Sequence, residues 1–250
     1  FIGGDIPVNS GVILRAGVSQ SALAISDGDG YVYRAMTDIR LGNIEPRGAE
    51  QIIAANLLMG YHAGDNSKEF IGSLNGRAGS GKTLMALSAG IKRVMAGDYS
   101  EIIIFRPTEP VGRDLGFLPG GMDEKMEPWS AAINDVIEEI NTSGSSFSAE
   151  EMISVQSSIH VRGRTFRNKW VIIEEAQNYE PLVLRTLLSR MGRDTAVVLT
   201  WDPSQVDNPY LRRNSAEGPV SIMKKLLGYD VAWHVQLKNP ERGGISALID

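Results

Sequence analysis

The chain has 250 residues, 42% of them hydrophobic and 22% charged. Those proportions belong to a globular protein and exclude a disordered or collagen-like chain. No apolar run approaches the roughly 18 residues that cross a bilayer, and no basic start leads into an apolar leader, so composition predicts a soluble, cytoplasmic protein. The absence of cysteine excludes disulfides and thiolate metal sites. Twenty-five basic against 30 acidic residues give a net charge of −5, so a nucleic-acid partner would have to be held by local patches. His62, His160 and His234 stand far apart, at no metal-binding spacing, and are expected to be structural. Phe1 in first position fits a piece of a longer chain, with a domain upstream.

Short strands are predicted at 12–14, 22–25 and 31–35, separated by Gly17 and by Asp27-Gly28-Asp29-Gly30. They form a small β-meander. From Pro46 the periodicity turns helical, with Ala49, Ile52, Ile53, Leu57 and Leu58 on one spacing after a proline suited to a helix start. The expected boundary therefore falls near residue 40, dividing a front appendage, 1–40, from a main domain, 41–250. Apolar runs then alternate with helical stretches. Strands are expected at 70–74, 102–105, 170–173, 196–200 and 232–237, and helices at 84–95, 129–140, 182–191 and 220–227. Continuous apolar strands between helices imply an α/β fold with a parallel sheet buried on both faces. The serine-rich stretch 141–148 reads as a surface loop.

Gly76-Arg77-Ala78-Gly79-Ser80-Gly81-Lys82-Thr83 matches GxxxxGK[ST] between an apolar strand and a helical run, the context that the pattern requires. Its glycines let backbone N–H groups, through Leu84, curl round phosphate oxygens at the positive end of a helix. Lys82 would reach the β and γ phosphates and Thr83 would place its hydroxyl on Mg²⁺, so ATP and Mg²⁺ are the expected ligands. Trp170-Val171-Ile172-Ile173-Glu174-Glu175 is an apolar strand ending in two acids at the sheet edge where ligands bind. By position Glu174 is the metal-side acid, acting through water, and Glu175 the general base. After the strand at 196–200 comes Trp201-Asp202-Pro203-Ser204-Gln205, in which Gln205 is the candidate γ-phosphate sensor. Arg162, Arg164 and Arg242 are candidates for stabilising transition-state charge, in the same subunit or across an interface. Trp129 and Trp233 could stack on bases, although a tryptophan at such spacing more often fills a core.

Taken together, these segments resemble the PhoH family of P-loop ATPases, relatives of the superfamily 1 helicases. The resemblance runs from about residue 45 to the end. It rests on the phosphate loop, Arg106-Pro107-Thr108, Gly116-Phe117-Leu118-Pro119-Gly120, Glu124-Lys125-Met126, Pro128-Trp129, Arg162-Gly163-Arg164-Thr165-Phe166, Glu174-Glu175-Ala176-Gln177, Asp202-Pro203-Ser204-Gln205 and Glu241-Arg242. It implies a RecA-like sheet and ATP hydrolysis coupled to unwinding of single-stranded or structured RNA, in a hexameric ring. By the same resemblance Gln51 sits where helicases of this type carry the glutamine that reads adenine. The front segments Pro7-Val8-Asn9-Ser10-Gly11-Val12-Ile13-Leu14 and Ser19-Gln20-Ser21-Ala22-Leu23 look like the junction of fused PIN-PhoH proteins, which implies a PIN ribonuclease domain upstream.

Two positions depart from the family pattern, which usually has Asp at Glu174 and a smaller residue, often Gly, at Trp201. The longer arm of Glu174 is expected to retain but alter activity. Trp201 sets a large ring beside the expected sensor, where it either shields the site or marks drift of the motif. The acidic balance leaves a second reading, a nucleotide-gated scaffold with little unwinding. A small-molecule kinase fits less well, because paired acids before Ala176-Gln177 suit water activation better than delivery to a substrate hydroxyl.

Overall fold

Gly11–Ala16 (β1), Gln20–Ser26 (β2) and Val32–Arg34 (β3) pair antiparallel in that order. The computed structural model describes residues 6–17, 20–61, 68–107, 137, 152–157, 161, 163–206 and 218–238. The turn between β2 and β3 is tied by Asp27, whose Oδ1 accepts the N–H groups of Asp29 at 2.8 Å and Tyr31 at 3.0 Å. An aspartate that satisfies its own turn in this way explains why the Asp-Gly cluster breaks the chain there. The sheet rests by one end on helix α1 (Gly48–Leu58). Gly11 lies so close to Ile53 of that helix that a Cβ would meet its Cδ1 at 2.5 Å.

The main sheet comprises β4 (Phe70–Gly76), β5 (Ile102–Arg106), β6 (Ile153–Ser157), β7 (Trp170–Ile173), β8 (Ala196–Trp201) and β9 (Ala232–Leu237). Its order is β6-β5-β7-β8-β4-β9, and every pairing is parallel. Asn9, just ahead of β1, ties the front sheet to this one by donating to the carbonyls of Asp230 at 2.7 Å and Ala232 at 3.1 Å.

Side chains alternate across the strands, so each apolar run serves two cores. Ile102, Ile104, Ile172 and Val198 pack on the face covered by α1 and by α2 (Lys82–Met95). Ile103, Phe105, Ile173 and Leu199 pack on the opposite face with α3 (Pro181–Leu188) and α4 (Pro219–Leu226). A parallel sheet flanked by helices, with a small antiparallel sheet in front, is the fold that the patterning implies.

Strand β6 was not legible. Its Ile-Ser-Val-Gln-Ser sequence lies on the sheet edge and is mostly half-buried, so it lacks the continuous apolar signal of the inner strands. Of the helix expected at 129–140, only Ile137 is among the described residues; it is helical and buried. The loop expected at 141–148, with His62 and His160, lies outside them.

Candidate functional site

The phosphate loop leaves β4 at Gly76 and enters α2 at Lys82. Gly76 is wedged against β9: a Cβ there would lie 2.5 Å from the Leu237 carbonyl oxygen and 2.7 Å from Ser80 Oγ. Gly81 precedes the helix in the left-handed region, φ 86°. A glycine takes that conformation without the Cβ clash that penalises other residues. No side chain caps this helix start and no acid occupies its first turn, so its N–H groups face the loop as an anion-binding end. Thr83 lies in that turn, half-buried.

Lys82 bends back over its own loop, and its Nζ donates to the carbonyls of Gly76 at 2.6 Å and Arg77 at 2.9 Å. Burial pushes the ammonium pKa down, while the charges of Asp202 and then Glu175 hold it up. Both carboxylates therefore act on the loop lysine. Gln51 touches the same loop from α1: its Nε2 donates to the Ser80 carbonyl at 3.4 Å, and its Oε1 accepts the Arg47 N–H at 2.7 Å.

The two acids after β7 have different surroundings. Glu174 is 2% exposed and paired with Arg106, the last residue of β5, whose Nε donates to its Oε2. Glu175 is exposed and turns the chain in the left-handed region, φ 49° and ψ 42°. Its Oε2 accepts from Gln177 Nε2 at 2.6 Å. The same amide nitrogen donates to the Gln205 carbonyl at 3.0 Å, and Gln177 Oε1 accepts the Asp202 N–H at 3.1 Å. One buried amide thus joins Glu175 to the loop after β8, and that loop carries Gln205, whose side chain is exposed. Asp202 is 2% exposed, caps Ser204 through Oδ1 at 2.9 Å to its N–H and 2.6 Å to its hydroxyl, and keeps Oδ2 without a hydrogen bond.

Gln177, Asp202 and Arg106 belong to this constellation, yet the residue patterns had marked none of them as site residues. The cue was weak: each stands within a segment quoted for the family resemblance, but its partners come from another strand. Replacing Gln177 by Ala is expected to cost about 1–3 kcal/mol, since Asp202 N–H and the Gln205 carbonyl lose a buried partner. Urea unfolding of the variant beside wild type checks this.

Trp201 neither overhangs the loop nor shields it. Its ring is 5% exposed in the core under α3 and α4, and Nε1 donates to Ser73 Oγ at 2.8 Å. It lies 6.0 Å from the His234 ring, and His234 Nδ1 is 3.0 Å from the same hydroxyl. Since Ser73 Oγ accepts from Trp201, its proton is free for the neutral imidazole. Burial lowers the His234 pKa below its ordinary 6.5. The unfolded chain then binds the proton more readily, so stability is complete above about pH 6.5 and falls as pH drops below it. Thermal melts from pH 7.5 to 5 should show this decline, and it should flatten in His234→Asn.

Arg164 is not brought to the loop. It lies over the Phe166 ring at 5.3 Å and donates to Gln156 of edge strand β6 at 3.4 Å, with three strands between β6 and β4. Arg162, Arg242 and Trp129 fall outside the described residues. Trp233 is fully buried, 5.8 Å from the Phe70 ring, and is core rather than a stacking platform.

A model of the PhoH-like protein family matches residues 43–245. The chain belongs to the PhoH family. Its similarity to the Protein PhoH2 of Mycolicibacterium smegmatis is 36% identity over 98% of this chain and 55% of that protein. To the Protein PhoH2 of Bacillus subtilis it is 33% over 93% of this chain and 53% of that protein. The chain thus spans about half the length of the curated relatives it matches. A crystal structure of an arterivirus helicase, nonstructural protein 10, aligns over 96% of this chain and 48% of that one, at 14% identity and a TM-score of 0.36.

Membership in the PhoH family goes with a P-loop NTPase fold, so the fit of its residues to Mg²⁺ matters. Among the described residues no group of three His, Cys, Asp or Glu could hold a metal by itself. Glu174 Oε1, Asp202 Oδ2, Asn75 Oδ1 and Ser80 Oγ are all buried without a hydrogen-bond partner, and each belongs to the loop or to a strand end beside it. The carboxylate and amide oxygens among them fit the water shell of a hydrated cation, and the Ser80 hydroxyl can donate to a phosphate oxygen. No described helix is long and apolar enough to cross a membrane.

Proposed function

We propose that this PhoH-family chain is the ATPase motor of a longer protein, hydrolysing ATP with Mg²⁺ and using the cycle to bind and unwind single-stranded or structured RNA. The observation that carries the reading is the geometry of the loop: Gly76 wedged against Leu237, Gly81 at φ 86° opening α2, and Lys82 folded over the loop's own carbonyls. The loop from Gly76 to Leu84 binds the phosphates through its N–H groups and Lys82. Gln51 reads the adenine edge, which an amide can both donate to and accept from. Thr83 and, through water, Glu174 hold the Mg²⁺, which neutralises developing phosphate charge. Glu175 takes a proton from the attacking water, and Gln205 senses the γ phosphate. An arginine completes the site; Arg164 would do so only from a neighbouring subunit, and Arg242 is the other candidate.

In this reading residues 41–250 are the ATPase domain and 1–40 a front appendage joining it to an upstream PIN ribonuclease domain. The protein assembles as a hexameric ring in the cytoplasm. Phosphate release from ATP with and without single-stranded RNA, alongside strand separation of a labelled RNA duplex, tests it. RNA-stimulated release with unwinding supports the motor. Release indifferent to RNA, with no RNA retained at low salt, overturns the RNA half. Nucleotide-dependent assembly without strand separation would make the chain a nucleotide-gated scaffold.

A further inference from the structure

We propose that Arg106 is a positioning residue for the metal-side acid: it holds Glu174 by one carboxylate oxygen and leaves the other facing the Mg²⁺ water shell. This rests on the ATPase reading above. Phe105 and Ile173 are the last paired residues of β5 and β7, and Glu174 N–H continues the ladder to the Phe105 carbonyl at 2.9 Å. Arg106 and Glu174 are therefore side-by-side neighbours at the sheet edge, and the glutamate arm reaches the Nε of the arginine. A carboxylate that is 2% exposed is costly without a cation, and Arg106, 21% exposed, supplies it.

The pairing is one-sided. Oε2 is taken and Oε1 is buried without a partner. Tyr179, just beyond the same strand end, has a buried hydroxyl that is also unbonded. Burial and then the charge of Glu174 push its pKa up while Arg106 pulls it down, so the phenol shares their field. A carboxylate held through one oxygen is restricted in its orientations, which limits where its second oxygen can reach. Arg106 is too deeply engaged with Glu174 to be an ordinary surface ion pair.

The test uses the whole chain and a fluorescent ATP analogue, with Mg²⁺ titrated against wild type, Arg106→Gln, Arg106→Lys, Glu174→Gln and the double variant. Arg106→Gln is expected to raise the half-saturating Mg²⁺ concentration by about 10–100-fold while metal-free nucleotide binding is unchanged. Arg106→Lys, which keeps the charge without the fork, should shift it less, and it serves as the probe if the glutamine variant does not fold. In a Glu174→Gln background Arg106→Gln should add nothing. A folded Arg106 variant with the wild-type Mg²⁺ midpoint overturns the assignment, as does a shift that persists without the Glu174 charge. Mg²⁺-dependent binding that is merely unshifted leaves the ATPase reading standing; a wild-type chain that binds no nucleotide removes both.

Discussion

Lys82→Ala is expected to lower Mg²⁺-dependent ATP turnover by about 10²–10³-fold, the cost of removing one charged donor from developing phosphate charge. The fold should survive, because both hydrogen bonds that Lys82 makes in the structure go to carbonyls of its own loop, Gly76 and Arg77. Losing them leaves only two loop carbonyls without that donor. Burial has already weakened its hold on a proton, and Asp202 and Glu175 counter that. Removing the amine leaves these two carboxylates facing each other's field without their shared cation, so nucleotide affinity should fall as well. Phosphate release and fluorescent-nucleotide binding on the variant, with circular dichroism to show the fold, check the expectation. Undiminished turnover would mean that the loop is structural.

Glu175→Gln should separate chemistry from binding: turnover down by about 10²–10⁴-fold, the usual worth of a positioned general base, with ATP binding retained. Glu175 is exposed, and the contact the structure gives it is with the amide of Gln177, to which a glutamine oxygen can still accept. Stability should therefore hardly change. The backbone adds a second expectation. At φ 49° and ψ 42° a residue with a Cβ stores strain on the order of 1 kcal/mol, which a catalytic role would justify and a merely solvated acid would not. Glu175→Gly should be as inactive as Glu175→Gln yet at least as stable, because glycine reaches that conformation freely. Single-turnover phosphate release and urea melts on the two variants make the comparison. An active Glu175→Gln would move the role of base to Asp202.

What could be read from the residues alone was whatever is carried by contiguous chemistry. Inner strands β5, β7 and β8 are nearly continuous apolar runs because both their faces are buried, and the phosphate loop is a run of eight residues whose glycines announce the turn. Edge strand β6 escaped because Ser154 and Gln156 interrupt Ile153 and Val155 where burial is only partial. The lateral contacts were also hidden. That Arg106 meets Glu174, or that Gln177 spans Glu175 and Asp202, depends on β7 lying between β5 and β8, and strand order is not written in any one segment. Trp201 shows the same limit. Beside Asp202 in sequence it looks like part of the site, and only the positions of Ser73 and His234 on neighbouring strands reveal that its ring belongs to the core below.

The pairing partners of β4 have a consequence for synthesis. This strand, which ends in the phosphate loop, bonds to β8 and β9, with Phe70 opposite Ala196 and Gly76 opposite Leu237. Both partners leave the ribosome long after it does, and such distant closures are slow. Until they arrive, β4 has no neighbour in the sheet and Gly76 has no wall against which to set the loop. A chain cut short before β9 would carry the whole GxxxxGK[ST] pattern and still lack the Leu237 wall against which Gly76 is set. If the chain binds nucleotide as proposed, capture would report that β9 has been made and docked, and ligand would then favour that docked state over the shorter precursors.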